Sequence, residues 1–146
     1  MNYLLDTCFL SEIRKPKINT RVLNWLNNVD EQCLYISTVS ICEIQQGISQ
    51  LKDPVFQQNL TKWLDEILLP WFEDRIISVD VVLARRWGSL LGQFAKKGLT
   101  RPVMDTLIAA SAEHHKLTLV TRNIIDFELF EIKLHDPWDN PSFSNK

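Results

Sequence analysis

Short apolar runs recur along the chain, and the segments between them carry helical periodicity. Met1 to about Asp6 is an apolar run that stops at Asp6-Thr7, the profile of a strand buried in a parallel sheet. Residues 7–14 predict a helix, broken by Lys15-Pro16-Lys17. A second helix is expected over Thr20–Asn28, with Val22, Leu23, Trp25, Leu26 and Val29 as its apolar face and Thr20 as N-cap. Leu34–Ser37 reads as a strand. Ser37 or Thr38 then caps a helix of about 39–51, in which Ile41, Ile44, Ile48 and Leu51 recur at helical spacing. Asp53-Pro54 opens a helix expected to run to Leu69 and stop at Pro70. Arg75–Val79 is a third strand. Asp80 caps a helix over 81–97 that ends near Gly98. Thr100-Arg101-Pro102 starts a helix reaching His115, with Pro102 in its first turn. Leu117–Val120 and Glu131–His135 complete the strands.

This alternation predicts an α/β fold: one domain with a central, mainly parallel sheet of four to five short strands flanked by helices. The domain is expected over residues 1–139, with a polar, flexible tail at 140–146.

Composition narrows the possibilities. The chain has 146 residues and is 45% hydrophobic, enough for one ordinary core. No apolar run reaches the ~18 residues that cross a bilayer, and no leader pattern precedes Asp6, so a cytoplasmic protein is expected. Cys8, Cys33 and Cys42 are odd in number and lack C-x-x-C spacing, which argues against a disulfide framework or a zinc site. A net charge of −2 excludes nucleic-acid binding by bulk charge. Any such site must be a local basic rim around an acidic centre.

Candidate acids stand at positions where chemistry is usually placed. Asp6 lies just past the first strand, at the sheet edge where open α/β folds bind ligands. An Asp there also serves as a helix cap. Glu43 flanks the Ile41, Ile44 and Ile48 stripe, with Gly47 one turn later leaving room beside it; an ordinary exposed helix Glu looks the same. Asp105 sits in a helix first turn amid Val103, Met104, Leu107 and Ile108, where a charge calls for a partner. After the fourth strand, Thr121 offers a hydroxyl, Asn123 a neutral oxygen and Asp126 a carboxylate, although Asp126 also fits a turn or helix start. Carboxylates gathered at one sheet edge repel each other unless a cation neutralises them. An all-oxygen donor set suits Mg²⁺ or Mn²⁺, and the chemistry that follows is phosphodiester hydrolysis.

At this point the residues resemble a family. Leu4-Leu5-Asp6-Thr7, Ser37-Thr38-Val39-Ser40-Ile41-Cys42-Glu43-Ile44, Met104-Asp105-Thr106-Leu107-Ile108-Ala109-Ala110 and Leu119-Val120-Thr121-Arg122-Asn123 with Asp126-Phe127 stand in the order and spacing of PIN domains. Within these the chain is similar to the VapC-type toxins, and the closing His135-Asp136-Pro137-Trp138 resembles the FitB-related subgroup. The resemblance implies a magnesium-dependent ribonuclease that cuts RNA to stop translation. It implies a homodimer and a small antitoxin whose C-terminal segment lies across the cleft. By the same likeness Asp6, Glu43 and Asp105 take the first three acidic positions. The fourth falls at Asn123 in some members and at Asp126 in others, and Asp126 is the acidic one here. Thr7 and Thr121 match supporting hydroxyls. Arg14, Lys15, Lys17, Lys96, Lys97, Arg101 and Arg122 surround these motifs as candidate RNA contacts, foremost among them Arg14, Lys15, Arg101 and Arg122; each taken alone reads equally as a solvated charge.

Two other phosphate-handling folds are excluded. A haloacid-dehalogenase-type phosphohydrolase needs an Asp two residues after the first, where this chain has Cys8. A phospho-receiver domain lacks its acidic pair. A PIN-like domain that has lost catalysis and serves as a protein- or RNA-binding module stays open, on the strength of the neutral Asn123. Trp25, Trp63, Trp71 and Trp87 read as core or interface.

Overall fold

A computed structural model describes residues 1–139; the expected tail at 140–146 lies outside them. Strands β1 (Tyr3–Leu5), β2 (Leu34–Ser37), β3 (Ile76–Ile77), β4 (Thr118–Val120) and β5 (Leu134–His135) form a single sheet in the order β3-β2-β1-β4-β5. Every pairing is parallel, with Tyr3 opposite both Leu34 and Thr118, Ile36 opposite Ile76, and Leu119 opposite Leu134.

Alternation along each strand feeds two cores, one on either face. Leu4 and Leu119 join Val39, Leu83, Leu107, Ile108 and Phe127. Leu5, Val120, Leu34 and Ile36 join Phe9, Leu10, Val22, Ile48, Leu64, Leu68 and Phe72. Both faces are covered, which is why these strands read as unbroken apolar runs. Helices α6 (Val81–Lys96), α7 (Val103–His114) and α8 (Ile124–Phe127) supply the first core. Helices α1 (Thr7–Ile13), α2 (Thr20–Asn28) and the α4–α5 unit (Pro54–Trp71) supply the second. Helix α3 (Thr38–Ser49) reaches both, through Val39 and Ile48.

Most boundaries fall where pattern and capping chemistry place them, and the departures have causes. Asn19, not Thr20, caps α2, because its Oδ1 accepts from the N–H groups of Arg21 at 2.9 Å and Val22 at 3.3 Å. Leu23 is exposed rather than part of the buried face. Ser37 caps α3, accepting from Val39 N at 3.0 Å. Pro70 does not stop its helix. The chain widens into a π-turn over Leu64–Leu68, where Leu69 N–H reaches back to Leu64 O, and helix resumes as α5 (Leu69–Trp71) with Pro70 in its first turn. The re-registered turn puts the missing N–H where a helix start tolerates it. Pro102 stands at the N-cap of α7 rather than inside it. Arg75 is not a strand residue: its buried guanidinium donates to the carbonyls of Leu34 at 2.8 Å, Trp71 at 2.6 Å and Glu31.

Strands β1, β2 and β3 step outward in one direction, whereas β4 and β5 step the other way from β1. The strand order therefore reverses between β1 and β4, and loops leaving their C-terminal ends diverge to open a crevice.

Candidate metal centre at the strand switch point

Asp6 follows β1 at the mouth of this crevice and caps α1. Its Oδ1 accepts from Thr7 N–H at 2.8 Å. Its Oδ2 accepts from Thr121 Oγ1 at 2.8 Å, across the switch point from the end of β4. Thr121 is fully buried and in turn accepts from Asn123 N–H at 3.0 Å. The Cys8 thiol stands 3.8 Å from Asp6 Oδ2 and 3.5 Å from Thr121 Oγ1.

Glu43 enters from α3. Its Oε1 accepts from Thr7 Oγ1 at 2.6 Å, and that hydroxyl also lies 2.9 Å from Ser40 Oγ. The residue after Asp6 thus ties the second acidic element to the first. Asp105 enters from the first turn of α7 and Asp126 from α8.

Charge coupling links the four acids through Asp105. Burial pushes the Asp105 carboxyl up, and the charges of Asp6, Asp126 and Glu43 push it further, to about 6. Burial also raises Asp6, against the Thr121, Thr7 and Cys8 hydrogen bonds, and Asp126 adds to the rise. Asp126 is therefore coupled to two of the other acids, while Asn123 occupies the N-cap position of α8 with its backbone N–H on Thr121. None of the four carboxylates forms a salt bridge to a described lysine or arginine.

The donor set fits a divalent cation. All four groups are carboxylates, oxygen donors that repel one another and that a divalent cation would neutralise. Among the described residues, no three acidic, His or Cys side chains close to ligand distance around one point. Charge coupling reaches farther than a coordination bond, so the cluster is gathered without being drawn into a cage. Cys8, Cys33 and Cys42 are all free thiols.

The basic candidates divide. Arg14 is half-buried and lines a groove beside Glu43 together with Thr7, Gly47, Phe56, Leu60 and Trp63. A Cβ on Gly47 would meet nothing within 4 Å, which agrees with the room expected there. Lys15 is engaged by Glu12 at 3.2 Å. Arg101 lies 6.0 Å from the Phe94 ring, with Nε buried and unpartnered among the described residues. Arg122 sits 4.9 Å over the Trp138 ring. Sequence reasoning gave no role to Glu12, Ser40 or Trp138. Ser40 carried the one available signal, a hydroxyl one helical turn from Glu43.

An open parallel sheet with an all-carboxylate crevice at its switch point defines an α/β class built around an acidic centre. The chain belongs to the PIN domain family, whose model matches residues 3–129. It is 32% identical over 136 residues to plasmid stability protein StbB of Pseudomonas syringae pv. tomato, covering 93% of this chain and 98% of that one. It is 31% identical over 143 residues to ribonuclease VapC2 of Rickettsia felis, covering 95% and 99%. Toxin FitB of Neisseria gonorrhoeae is 30% identical over 135 residues, covering 92% and 97%. The crystal structure of FitAcB from that organism superposes with a TM-score of 0.85 at 29% identity, over 94% of this chain and 99% of its own. The single-domain parallel fold expected from the sequence is that of these relatives.

Proposed function

We propose that this chain is the magnesium-dependent endoribonuclease toxin of a toxin–antitoxin pair, hydrolysing RNA phosphodiester bonds and so inhibiting translation. The observation that carries the reading is the coupling of Asp105 to Asp6, Asp126 and Glu43, none of which forms a salt bridge among the described residues. Relatives named as a ribonuclease and as a toxin support it.

Asp6 and Asp105 would hold Mg²⁺ or Mn²⁺, with Glu43 and Asp126 beside them. When bound, the ion neutralises the cluster and supplies a Lewis acid to the scissile phosphate. Asp6 is oriented by Thr7 N–H and Thr121 Oγ1, each of which takes one lone pair and leaves its oxygen another. The Thr7 hydroxyl fixes Glu43 through Oε1. Glu43 Oε2 is then the oxygen that orients the attacking water and takes its proton.

The groove beside Glu43 combines apolar walls at Ile44, Leu51, Phe56, Leu60 and Trp63 with the cation of Arg14. That supports an antitoxin segment seated next to the centre and covering it. Val81, Val82 and Val103 are each more than half exposed, which supports a homodimer. No helix among the described residues is long and apolar enough to cross a membrane, in keeping with a cytoplasmic site of action.

Asp6→Asn is expected to abolish RNA cleavage and growth arrest while keeping the circular dichroism spectrum and antitoxin binding. A well-folded Asp6→Asn protein that cuts RNA at the wild-type rate overturns the assignment. Mn²⁺ titration, lost in Asp105→Ala, separates this enzyme from a catalytically silent binding module.

A further inference from the structure

An arginine in the segment that holds a site carboxylate is expected to pair with an acid. Arg122 follows Thr121, whose hydroxyl holds Asp6, and precedes Asn123, whose N–H is held by that same hydroxyl. Its backbone is therefore fixed at the crevice. Its guanidinium nevertheless makes no salt bridge to Asp6, Glu43, Asp105 or Asp126. It stands instead 4.9 Å over the indole of Trp138.

Trp138 is held both through its backbone and through its indole. Trp138 N–H donates to Asp136 Oδ1 at 2.9 Å. Its carbonyl accepts from the Arg21 guanidinium at 3.2 Å. Its indole N–H donates to Glu12 Oε1 at 3.3 Å, and its ring packs edge-on against Phe9 at 6.1 Å. Glu12 is only 6% exposed and also accepts from Asn19 N–H at 3.1 Å and Lys15 at 3.2 Å. A buried carboxylate with three donors is a rigid anchor. The perch thus belongs to the fold, joining the C-terminal segment to α1 and to the start of α2.

We propose that Arg122 binds a phosphate of the substrate strand beside the acidic crevice, and that Trp138 is the positioning residue that keeps its guanidinium there and off the carboxylates. This rests on the ribonuclease reading above. Collapsed onto Asp126 or Asp105, Arg122 would withdraw a ligand from the divalent cation and spend its own donors. Stacked on the indole, it uses its face for the ring and keeps its edge of N–H donors for a phosphate, in bidentate geometry.

The test uses the full chain and a short single-stranded RNA, with affinity read by fluorescence anisotropy in an Asp105→Asn background that prevents turnover. Arg122→Ala should weaken binding and reduce the slope of log K against log salt by about 0.7, the value for one phosphate contact on a single strand. Trp138→Ala should weaken binding in the same direction, Trp138→Phe should retain most of the affinity, and Trp138→Ala should add nothing in the Arg122→Ala background. With Asp105 restored, both single variants should raise KM more than they lower kcat. An unchanged salt slope in Arg122→Ala overturns the phosphate contact. A Trp138→Ala loss that persists in the Arg122→Ala background, or a Trp138→Phe loss as large as that of Arg122→Ala, overturns the positioning role. The Phe variant and the Arg122→Ala slope decide the matter even where Trp138→Ala fails to fold. A parent chain that neither binds nor cuts any RNA overturns the ribonuclease reading itself, whereas a competent parent with indifferent variants overturns this inference alone.

Discussion

Thr7 Oγ1 donates to Glu43 Oε1 at 2.6 Å, so the residue directly after one site acid holds the carboxylate of another. A rigid hydroxyl replaces a long, free Glu rotor and aims the remaining oxygen. Thr7→Val removes the donor at nearly constant volume, and cleavage should fall by about 10- to 100-fold, the usual cost of losing a partner that orients a site carboxylate. Thr7→Ser should retain most of the rate. Steady-state cleavage of one RNA substrate by the three proteins, with melting curves to confirm the fold, checks this.

Asp105 carries a pH signature. Buried and faced by Asp6, Asp126 and Glu43, it titrates at about 6 in the folded chain, above its ordinary value of 3.8. Between those values the folded chain keeps a proton that the unfolded chain has shed, so stability from this group is complete below the ordinary value and is lost as pH rises through about 6. Glu12 and Glu113 act in the opposite sense. Burial works against Glu12, but its Asn19, Lys15 and Trp138 hydrogen bonds prevail; Arg86 lowers Glu113; both therefore lose stability on acidification. The difference between wild type and Asp105→Asn isolates the effect. In EDTA the melting temperature of wild type should drop relative to Asp105→Asn as pH rises through this range. Excess Mg²⁺ should restore more of it at neutral than at acid pH. Parallel curves for the two proteins would refute the coupling.

Gly47 separates stability from docking. A Cβ there meets open space, and the residue is an exposed helix interior position. Gly47→Ala should stabilise the fold by about 0.5–1 kcal/mol through helix propensity, read by urea unfolding, and leave cleavage unchanged. Gly47→Phe should fold, yet lose antitoxin binding by filling the groove at Glu43. Full neutralisation of Gly47→Phe by the antitoxin would place the antitoxin elsewhere.

How much of this was legible in the sequence depends on the range of the physics involved. Local chemistry read well: the bounds of α2 and β2 and the Asp53 and Asp80 caps follow from residue type, and the choice left between Ser37 and Thr38 falls to Ser37. The acids at 6, 105 and 126 stood out because strand ends and helix starts are where parallel sheets expose polar groups, and Glu43 because it flanks the Ile41, Ile44 and Ile48 stripe with Gly47 one turn later. Pro70 misled because a π-turn upstream re-registers the helix, and nothing in the composition of Leu64–Leu68 announces it. The short helix α8 was seen only as a possible helix start at Asp126, since its four residues carry too little periodicity to register. Basic side chains were least readable. Lys15 pairs with Glu12 only three residues away, whereas the indole that Arg122 stands over comes from a separate, later segment.

The strand order has a consequence for synthesis. The central strand is made first, yet its neighbour on one side is β4, and the buried hydroxyl that orients Asp6 arrives with Thr121. A nascent chain ending anywhere before β4 has an open sheet edge at β1 and a half-dressed first acid. Three of the four acids can have left the ribosome while the crevice that joins them does not yet exist. The crevice is thereby completed only once β4 and the segment carrying Thr121 have been made.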